Sequence, residues 1–258
     1  MYTLCISDRN NKQRRENATS ELNKIGLDFE FFDAVMGKNM SKDELAAVSF
    51  PDTYLSPGEI GCSLSHVGCY EKFLESDEKS AVIFEDDIQF TEDMNLERLE
   101  MICNFIENQQ EPAVLALYRG DYDYKAEREI FEGIWIHQAY GFFLAHGYIV
   151  NRQAAKAIKE VQTPISFEAD AFKMFHFLSG MRIYSLSRDF VCQHDEDILP
   201  SSITAARYET GNRGVRKKKA FWAKFFAAPL TRKAGILWRR VYKHYLSDVK
   251  RKRFLQNH

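Results

Sequence analysis

The chain has 258 residues, of which 45% are hydrophobic and 28% are charged, so a disordered protein is excluded and a folded domain with a sizeable core is expected. No apolar run approaches the roughly 18 residues that a membrane-spanning helix needs, and Met1–Lys12 lacks the pattern of a secretory signal, so we expect a cytoplasmic protein. The formal net charge of −2 conceals an asymmetry, since residues 1–212 carry −16 and residues 213–258 carry +14.

The N-terminal region begins with a strand, a helix and a second strand. Thr3–Ser7 has the composition of a short buried strand, residues 12–25 carry apolar side chains at helical spacing, and Asp28–Val35 is an aromatic-rich strand. This order predicts a βαβ unit and therefore a parallel sheet.

Two helix starts follow, each marked by a serine with a glutamate three residues later. Ser41 and Glu44 predict a capping box on a short helix, and Ser56 and Glu59 predict a capping box on a longer one. Pro57 suits the first position of the longer helix, which should extend to residue 75.

The rest of the chain continues to alternate between helices and strands. We predict helices over residues 94–106, 151–161 and 169–178, and strands at Ala81–Phe84, Ala113–Tyr118, Ile130–His137, Phe142–Val150, Arg182–Leu186 and Phe190–Gln193. Together the elements predict one α/β domain over residues 1–212, with a Rossmann-type, mostly parallel sheet flanked by helices.

Five cysteines are scattered along the chain without a Cys-x-x-Cys pair. This favours reduced thiols in a cytosolic protein over a disulfide framework or a zinc site. Cys62 and Cys69 lie seven residues apart on a predicted helix, and we interpret both as small buried apolar residues.

Three acids, Glu85, Asp86 and Asp87, follow directly on the strand Ala81–Phe84. In an open α/β sheet, ligands bind beyond the carboxyl ends of the strands. Adjacent carboxylates repel one another unless a cation neutralises them, and Mg²⁺ or Mn²⁺ prefers such oxygen ligands and also clamps diphosphates. The triplet indicates a metal-assisted diphosphate site, with an ordinary solvated acidic turn as the alternative.

Several short motifs give the sequence a family resemblance. They are Arg14-Arg15, Phe31–Val35, Leu55–His66 (LSPGEIGCSLSH), Val82–Asp87 (VIFEDD), and Gly147–Val150 leading into Ala154-Ala155. In this order and spacing they resemble glycosyltransferase family 25, which includes bacterial enzymes that build lipooligosaccharide. The resemblance extends over residues 2–203.

The resemblance implies a GT-A fold, a UDP-galactose or UDP-glucose donor, an Mn²⁺ or Mg²⁺ ion, and inversion at the anomeric carbon. It makes Glu85-Asp86-Asp87 the counterpart of the family's DxD-like motif. Asp87 is then the direct metal ligand, Glu85 supports the metal or the ribose, and Asp86 belongs to the donor site. Strand alternation also points positions 85 and 87 to the same side, if the strand continues that far.

The same resemblance supplies further candidates for binding the donor and the metal. The donor candidates are Ser7, Asp8, Asp33, Ala34, Glu59, Ser65 and His66, and His194 is the candidate third metal ligand. Ordinary structural roles stay open for Asp33 as a turn residue, for Glu59 as a capping residue and for His66 as a buried histidine. For His194 the alternative is an exposed turn.

An inverting transfer needs a base that takes the proton from the acceptor hydroxyl. The stretch Glu168-Ala169-Asp170 resembles the family's Pro-x-Asp-like motif, with Glu168 in place of the proline. Asp170 is therefore the candidate base, Glu168 is the second candidate, and a helix N-cap role for Asp170 is the alternative.

Residues 213–258 form a basic, aromatic tail of two helical segments separated by Pro229. Trp and Phe beside Lys and Arg on amphipathic helices suit an anionic membrane surface, so we expect the protein on the inner face of the cytoplasmic membrane. A helical hairpin that packs its aromatic residues on the domain is the alternative. No known nucleic-acid-binding module is present, so we expect no nucleic-acid partner.

The sequence thus predicts a metal-dependent inverting glycosyltransferase that moves a hexose, with galactose preferred to glucose, from UDP onto a lipooligosaccharide acceptor. A phosphotransferase is less consistent with the sequence, because no Gly-rich phosphate loop with a lysine is present. The non-enzymatic alternative is a degenerate transferase retained as a sugar-binding or adhesion module.

Overall fold

The computed structural model describes residues 1–120, 123–194 and 212–242. The helices are α1 (Lys12–Lys24), α2 (Lys42–Val48), α3 (Pro57–Glu75), α4 (Leu96–Glu107), α5 (Arg152–Gln162), α6 (Phe172–Ser179) and α7 (Arg213–Ala227), followed by a helix over residues 230–242. The strands are β1 (Tyr2–Ser7), β2 (Glu30–Asp33), β3 (Ser80–Glu85), β4 (Ile88–Phe90), β5 (Ala113–Arg119), β6 (Asp123–Phe131), β7 (Ile134–Ala139), β8 (Gly147–Asn151), β9 (Arg182–Leu186) and β10 (Val191–Gln193).

A central sheet of eight strands has the order β2-β1-β3-β8-β5-β9-β7-β6. The strands β1, β2 and β3 are parallel, as the βαβ pattern predicts. The pairings give six strands that point in one direction, and only β7 and β8 run against them. The predicted α/β fold with a mostly parallel sheet is therefore confirmed.

Each face of the sheet carries an apolar cluster, because alternate residues of a strand point to opposite faces. Ile83 of β3 packs in a cluster with residues of α3, α5 and α6, while Val82 and Phe84 pack in a second cluster with α1 and α4. Helices thus cover both faces, and the carboxyl ends of β1, β2 and β3 open at one edge.

Helix α3 is positioned by its first turn and by close backbone packing. The Ser56 side chain accepts from the Glu59 N–H, and the Glu59 carboxylate accepts from the Ser56 N–H, which is the predicted capping box. A Cβ atom at Gly61 would lie 2.3 Å from the carbonyl oxygen of Val35, so only glycine lets the helix approach the segment after β2 this closely.

Two strand predictions were wrong in their bounds. Ile130–His137 is not one strand, because a turn at residues 132–133 divides it between β6 and β7, and Gly133 has a φ of +72° there. Phe142–Val150 is a strand only from Gly147, and the residues before it form a loop. The short strand β4, which pairs with β10, was not predicted.

The described part of the basic tail, residues 213–242, forms the two predicted helical segments. Ala220, Phe221 and Phe225 of α7 and Ile236 of the following helix are buried against the domain. Residues 195–211 and 243–258 lie outside the described residues, and the predicted basic tail beyond residue 242 falls among them. In the described part of the chain, no helix combines the length and the apolar character needed to cross a membrane.

Candidate functional site

The candidate site lies where the parallel strands β1, β2 and β3 end. Ser7 pairs with Asp33 in register, and Ile6 pairs with Glu85, so the last residues of all three strands are neighbours. The acids that follow β3 therefore face the end of β1 and the start of α1. The carboxyl ends of such strands are the usual ligand sites of α/β sheets.

The Asp86 side chain is buried and fully engaged by neighbouring side chains. The Ser7 hydroxyl donates to one carboxylate oxygen at 2.7 Å, and the Arg14 guanidinium donates to the other at 2.6 Å. The Asn17 amide donates to the backbone oxygens of Asp86 and Ile88, at 3.0 and 3.1 Å. Asp86 and Ser7 thus fix the turn after β3 rather than presenting open oxygens.

The Asp87 side chain lies beside the same arginine, but only one of its two carboxylate oxygens has a partner. Arg14 is 3.4 Å from one Asp87 oxygen, and the other oxygen is buried without a hydrogen-bond partner. Burial and the neighbouring charges of Glu85 and Asp86 raise the pKa of Asp87 to about 7, against the opposing effect of Arg14. A cation that binds Asp87 would relieve this repulsion.

His194 lies next to Asp87, because its backbone N–H donates to the Asp87 carbonyl oxygen at 2.8 Å. Its Nε2 atom is also buried without a hydrogen-bond partner. Two unpartnered buried ligand atoms beside an acidic turn fit a divalent cation, for which carboxylate oxygen and imidazole nitrogen are both suitable ligands. The backbone hydrogen bond thus makes the predicted ligands Asp87 and His194 neighbours, and they are the residues that would hold a metal.

The Glu85 carboxylate points towards helix α3. His66 Nε2 lies 3.3 Å from Glu85 Oε1, and His66 Nδ1 lies 2.7 Å from the Tyr148 hydroxyl. Burial opposes ionisation of Glu85, but the hydrogen bond from His66 and the positive charges nearby outweigh it and lower the pKa of Glu85. Because β3 ends at Glu85, strand alternation does not extend to Asp87, and Arg14 contacts both Asp86 and Asp87.

The remaining predicted donor residues on the strand ends make local contacts. Asp33 forms ion pairs with Arg9 and Arg15, which lower its pKa through direct hydrogen bonds. Asp8 accepts from the Asn10 N–H in the turn before α1, and the Ala34 N–H donates to the Ser7 carbonyl oxygen. These contacts account for the local structure, and a role in donor binding stays a prediction.

Ser65 connects helix α3 to the segment after β2. Its hydroxyl accepts from the Val35 N–H at 2.8 Å and donates to the Gly61 carbonyl oxygen at 2.9 Å. The side chain is buried, at 1% exposed. Ser65 therefore positions Val35 and its neighbour Ala34 at the edge of the site.

Asp170 lies at the start of α6, opposite the loop that precedes β8. One of its carboxylate oxygens accepts from the Leu144 N–H at 3.4 Å. The same loop is held by Tyr118, whose hydroxyl contacts the carbonyl oxygens of Phe143 and Leu144, and it continues to His146, whose carbonyl accepts from the Glu85 N–H. One loop therefore contacts both the candidate base and the acidic turn.

Glu168 and Glu59 form an ion-pair cluster with the first turn of α7. Glu59 is 3% exposed and accepts from Arg213 at 2.7 Å, and Glu168 accepts from Lys217 at 2.8 Å and from the Tyr54 hydroxyl at 2.7 Å. Although burial raises the pKa of Glu168, the charge and hydrogen bond of Lys217 and the bond from Tyr54 lower it overall. Both carboxylates anchor the tail to the domain.

Two residues of the site were not predicted individually. Arg14 appeared in the sequence only as part of a motif, although it neutralises Asp86 and lies against Asp87. His146 is buried, stacks on Tyr118 at 4.2 Å between ring centroids, and has an unpartnered Nδ1 atom. Burial lowers the pKa of His146. The position of His146 directly before the Gly147–Val150 motif is the sequence feature that could have marked it as a site residue.

Comparison with known proteins identifies the class as glycosyltransferase. The model of Glycosyltransferase family 25 (LPS biosynthesis protein) matches residues 1–173, about two thirds of the sequence. The chain belongs to this family.

Individual relatives match different extents of the chain. A Haemophilus influenzae protein, provisionally named a glycosyltransferase, is 28% identical over 221 residues, which are 80% of this chain and 76% of that protein. A glycosyltransferase 25 family member from Aedes aegypti is 38% identical over 88 residues, and the match takes in 30% of this chain but only 14% of the mosquito protein. Among solved structures, the galactosyltransferase LgtC with donor and acceptor sugar analogs has a TM-score of 0.36 and 10% identity, covering 72% of this chain and 73% of that chain.

Proposed function

We propose that this glycosyltransferase moves a hexose, galactose in preference to glucose, from UDP to a saccharide acceptor of lipooligosaccharide. The observation that carries the proposal is that Asp87 Oδ1, directly after the parallel strand β3, and Nε2 of the neighbouring His194 are both buried without a hydrogen-bond partner. A bound Mn²⁺ or Mg²⁺ supplies positive charge that stabilises the departing diphosphate. Arg14 supplies a second positive charge at the same turn.

The choice of lipooligosaccharide as the acceptor is supported by the family's description as an LPS biosynthesis protein. Galactose is supported by relatives such as procollagen galactosyltransferase 1-A of Xenopus laevis, which is 28% identical to this chain over 95 residues. These residues make up 16% of the Xenopus protein. UDP-glucose is the alternative donor. A degenerate sugar-binding module is the non-enzymatic alternative.

In the proposed transfer, Asp170 accepts the proton of the acceptor hydroxyl as its oxygen bonds to the anomeric carbon and the bond from that carbon to the UDP oxygen breaks. Asp170 is half-buried and faces the loop at Phe143 and Leu144, whose side chains are 54% and 41% exposed. Exposed apolar side chains of this kind suit packing against a sugar ring. The loop therefore offers a surface on which the acceptor sugar can pack beside Asp170.

The donor is tested with a panel of UDP-sugars and short lipooligosaccharide acceptors, with and without Mn²⁺. The proposal predicts metal-dependent UDP release and a galactosylated product. Product from UDP-glucose alone would favour the alternative donor. Neither release nor metal-dependent UDP binding with any donor would favour the non-catalytic module.

The base is tested by comparing Asp170→Asn with Glu168→Gln. Asp170→Asn should retain the melting temperature and UDP binding but lose transfer by a factor of about 100 or more, as general-base removal does. Glu168→Gln should lower the melting temperature, because it weakens the pairing with Lys217, while transfer at low temperature persists. The reverse pattern would make Glu168 the base.

We propose further that the tail holds the enzyme on the inner face of the cytoplasmic membrane. In the described part of the two tail helices, five large apolar side chains beyond the first turn of α7 are exposed, namely Phe226, Leu230, Leu237, Trp238 and Val241. They belong to the same stretch of sequence as the basic residues that give residues 213–258 their charge of +14. An apolar face within a strongly positive segment complements an anionic lipid surface.

Vesicle co-sedimentation tests this docking with the full chain. The double substitution Leu230→Ser with Trp238→Ser should weaken binding to vesicles of anionic phospholipid at least tenfold. Val215→Ser is the matched control, because Val215 is 67% exposed but lies in the first turn of α7, beside the ion-pair cluster. Equal binding by the double variant and wild type, or equal binding to neutral vesicles, would contradict the proposal.

A further inference from the structure

Helix α3 and the end of β3 bring a thiol, an imidazole and a carboxylate together. Cys62 and His66 are four residues apart on α3 and therefore share one face of the helix. One ligand atom from each of Cys62, His66 and Glu85 lies within 4.8 Å of the other two. The Nε2 atom of His66 and the nearer oxygen of Glu85 are 3.3 Å apart.

The His66 ring is held in place by two buried tyrosines. Its Nδ1 atom lies 2.7 Å from the Tyr148 hydroxyl, which lies 2.7 Å from the Tyr70 hydroxyl. His66, Tyr70 and Tyr148 are each at most 2% exposed. A hydrogen bond at one ring nitrogen orients the other nitrogen, which is how proteins preorganise histidine ligands for metal ions.

The three ligand types also select a class of cation. Thiolate and imidazole ligands favour Zn²⁺ and similar borderline ions, whereas Mg²⁺ prefers oxygen ligands. Two ligand atoms at 3.3 Å are spaced as two vertices of a tetrahedron with bonds of about 2 Å. Cys62 and Glu85 are only partly buried, so an ion has access from solvent.

We propose that Cys62, His66 and Glu85 form a cation site for an ion of the Zn²⁺ class, separate from the Asp87 and His194 pair. Binding releases the thiol proton of Cys62 to solvent, and a water molecule completes the coordination. The assignment replaces the interpretation of Cys62 as a simple apolar residue. It rests on the geometry of α3 and β3 and holds whether or not the chain transfers a sugar.

Cobalt substitution tests the site on the full reduced chain. Co²⁺ should give a near-ultraviolet charge-transfer band that is diagnostic of thiolate coordination, and Zn²⁺ should abolish it. Cys62→Ser should remove the band, and Glu85→Gln should weaken cobalt affinity at least tenfold while the band at saturation persists. Cys192→Ser is the matched control, because Cys192 is exposed, and it should leave the band intact.

Asp87→Asn separates this site from the proposed catalytic one. The substitution should abolish metal-dependent turnover but leave the cobalt–thiolate band unchanged. Absence of the band in the wild type, its survival in Cys62→Ser, or its loss in Asp87→Asn would each overturn the proposal. If Cys62→Ser does not fold, an unchanged cobalt affinity in Glu85→Gln would overturn it by itself.

Discussion

Removing the charge of Asp87 should change how the stability of the metal-free protein depends on pH. The folded-state pKa of Asp87 is raised from 3.8 to about 7, and its side chain is 13% exposed. The folded state therefore holds a proton that the unfolded state releases between these two values. Its stabilising contribution is complete below the unfolded pKa and is lost as the pH rises through about 7.

The magnitude follows from the two pKa values. With about 1.4 kcal/mol for each pKa unit, the wild type should lose about 2.5 kcal/mol of unfolding free energy between pH 5 and pH 8, relative to Asp87→Asn. Asparagine does not titrate, so the difference between the two pH profiles reports the Asp87 carboxyl together with its charge coupling to Glu85 and Asp86.

Urea unfolding in the presence of a chelator measures both profiles. The stability difference between Asp87→Asn and wild type should increase towards high pH. Adding Mn²⁺ should reverse the trend, because a cation stabilises the ionised carboxylate in the folded state. Parallel profiles, or a difference that decreases as the pH rises, would show that burial and the neighbouring acids do not raise the pKa of Asp87.

Two further substitutions test the tail anchor and the acceptor loop. Arg213→Ala leaves the buried Glu59 carboxylate without its main partner and should cost about 3 kcal/mol of unfolding free energy, whereas Arg232→Ala breaks an exposed pair and should cost less than about 1 kcal/mol. Equal melting temperatures would contradict the anchoring role. Tyr118→Phe removes the hydroxyl that contacts the Leu144 carbonyl oxygen and should raise KM for the acceptor several-fold, with donor hydrolysis unchanged. An unchanged acceptor KM would separate the loop from acceptor binding.

Much of the fold could be predicted because local rules decide it. The capping boxes at Ser41 and Ser56 form as predicted, since each needs only residues within one helical turn. The β6–β7 hairpin was read as one strand because Ile130–His137 is almost continuously strand-like. The turn there needs only Gly133 at positive φ.

Only those residues of the site that belong to a sequence motif could be predicted. The acidic turn follows from the strand that precedes it, but its partners come from distant parts of the chain. Arg14 is 72 residues from Asp86, and the His194 contact with Asp87 depends on the pairing of β10 with β4. Spacing along a sequence carries no information about such contacts. Likewise, the contact of Glu168, the second candidate base, with Lys217 could not be foreseen from the sequence.

The most direct test of the central claim is Mn²⁺-dependent release of UDP from UDP-galactose by wild type and by Asp87→Ala. Asp77→Ala is the matched control, because Asp77 is an exposed acid that precedes β3, at the opposite end of the strand from the acidic turn. Wild type and Asp77→Ala should both release UDP in a metal-dependent reaction, and Asp87→Ala should lose about 100-fold or more of that rate. Metal-dependent release that is undiminished in Asp87→Ala would contradict the central claim.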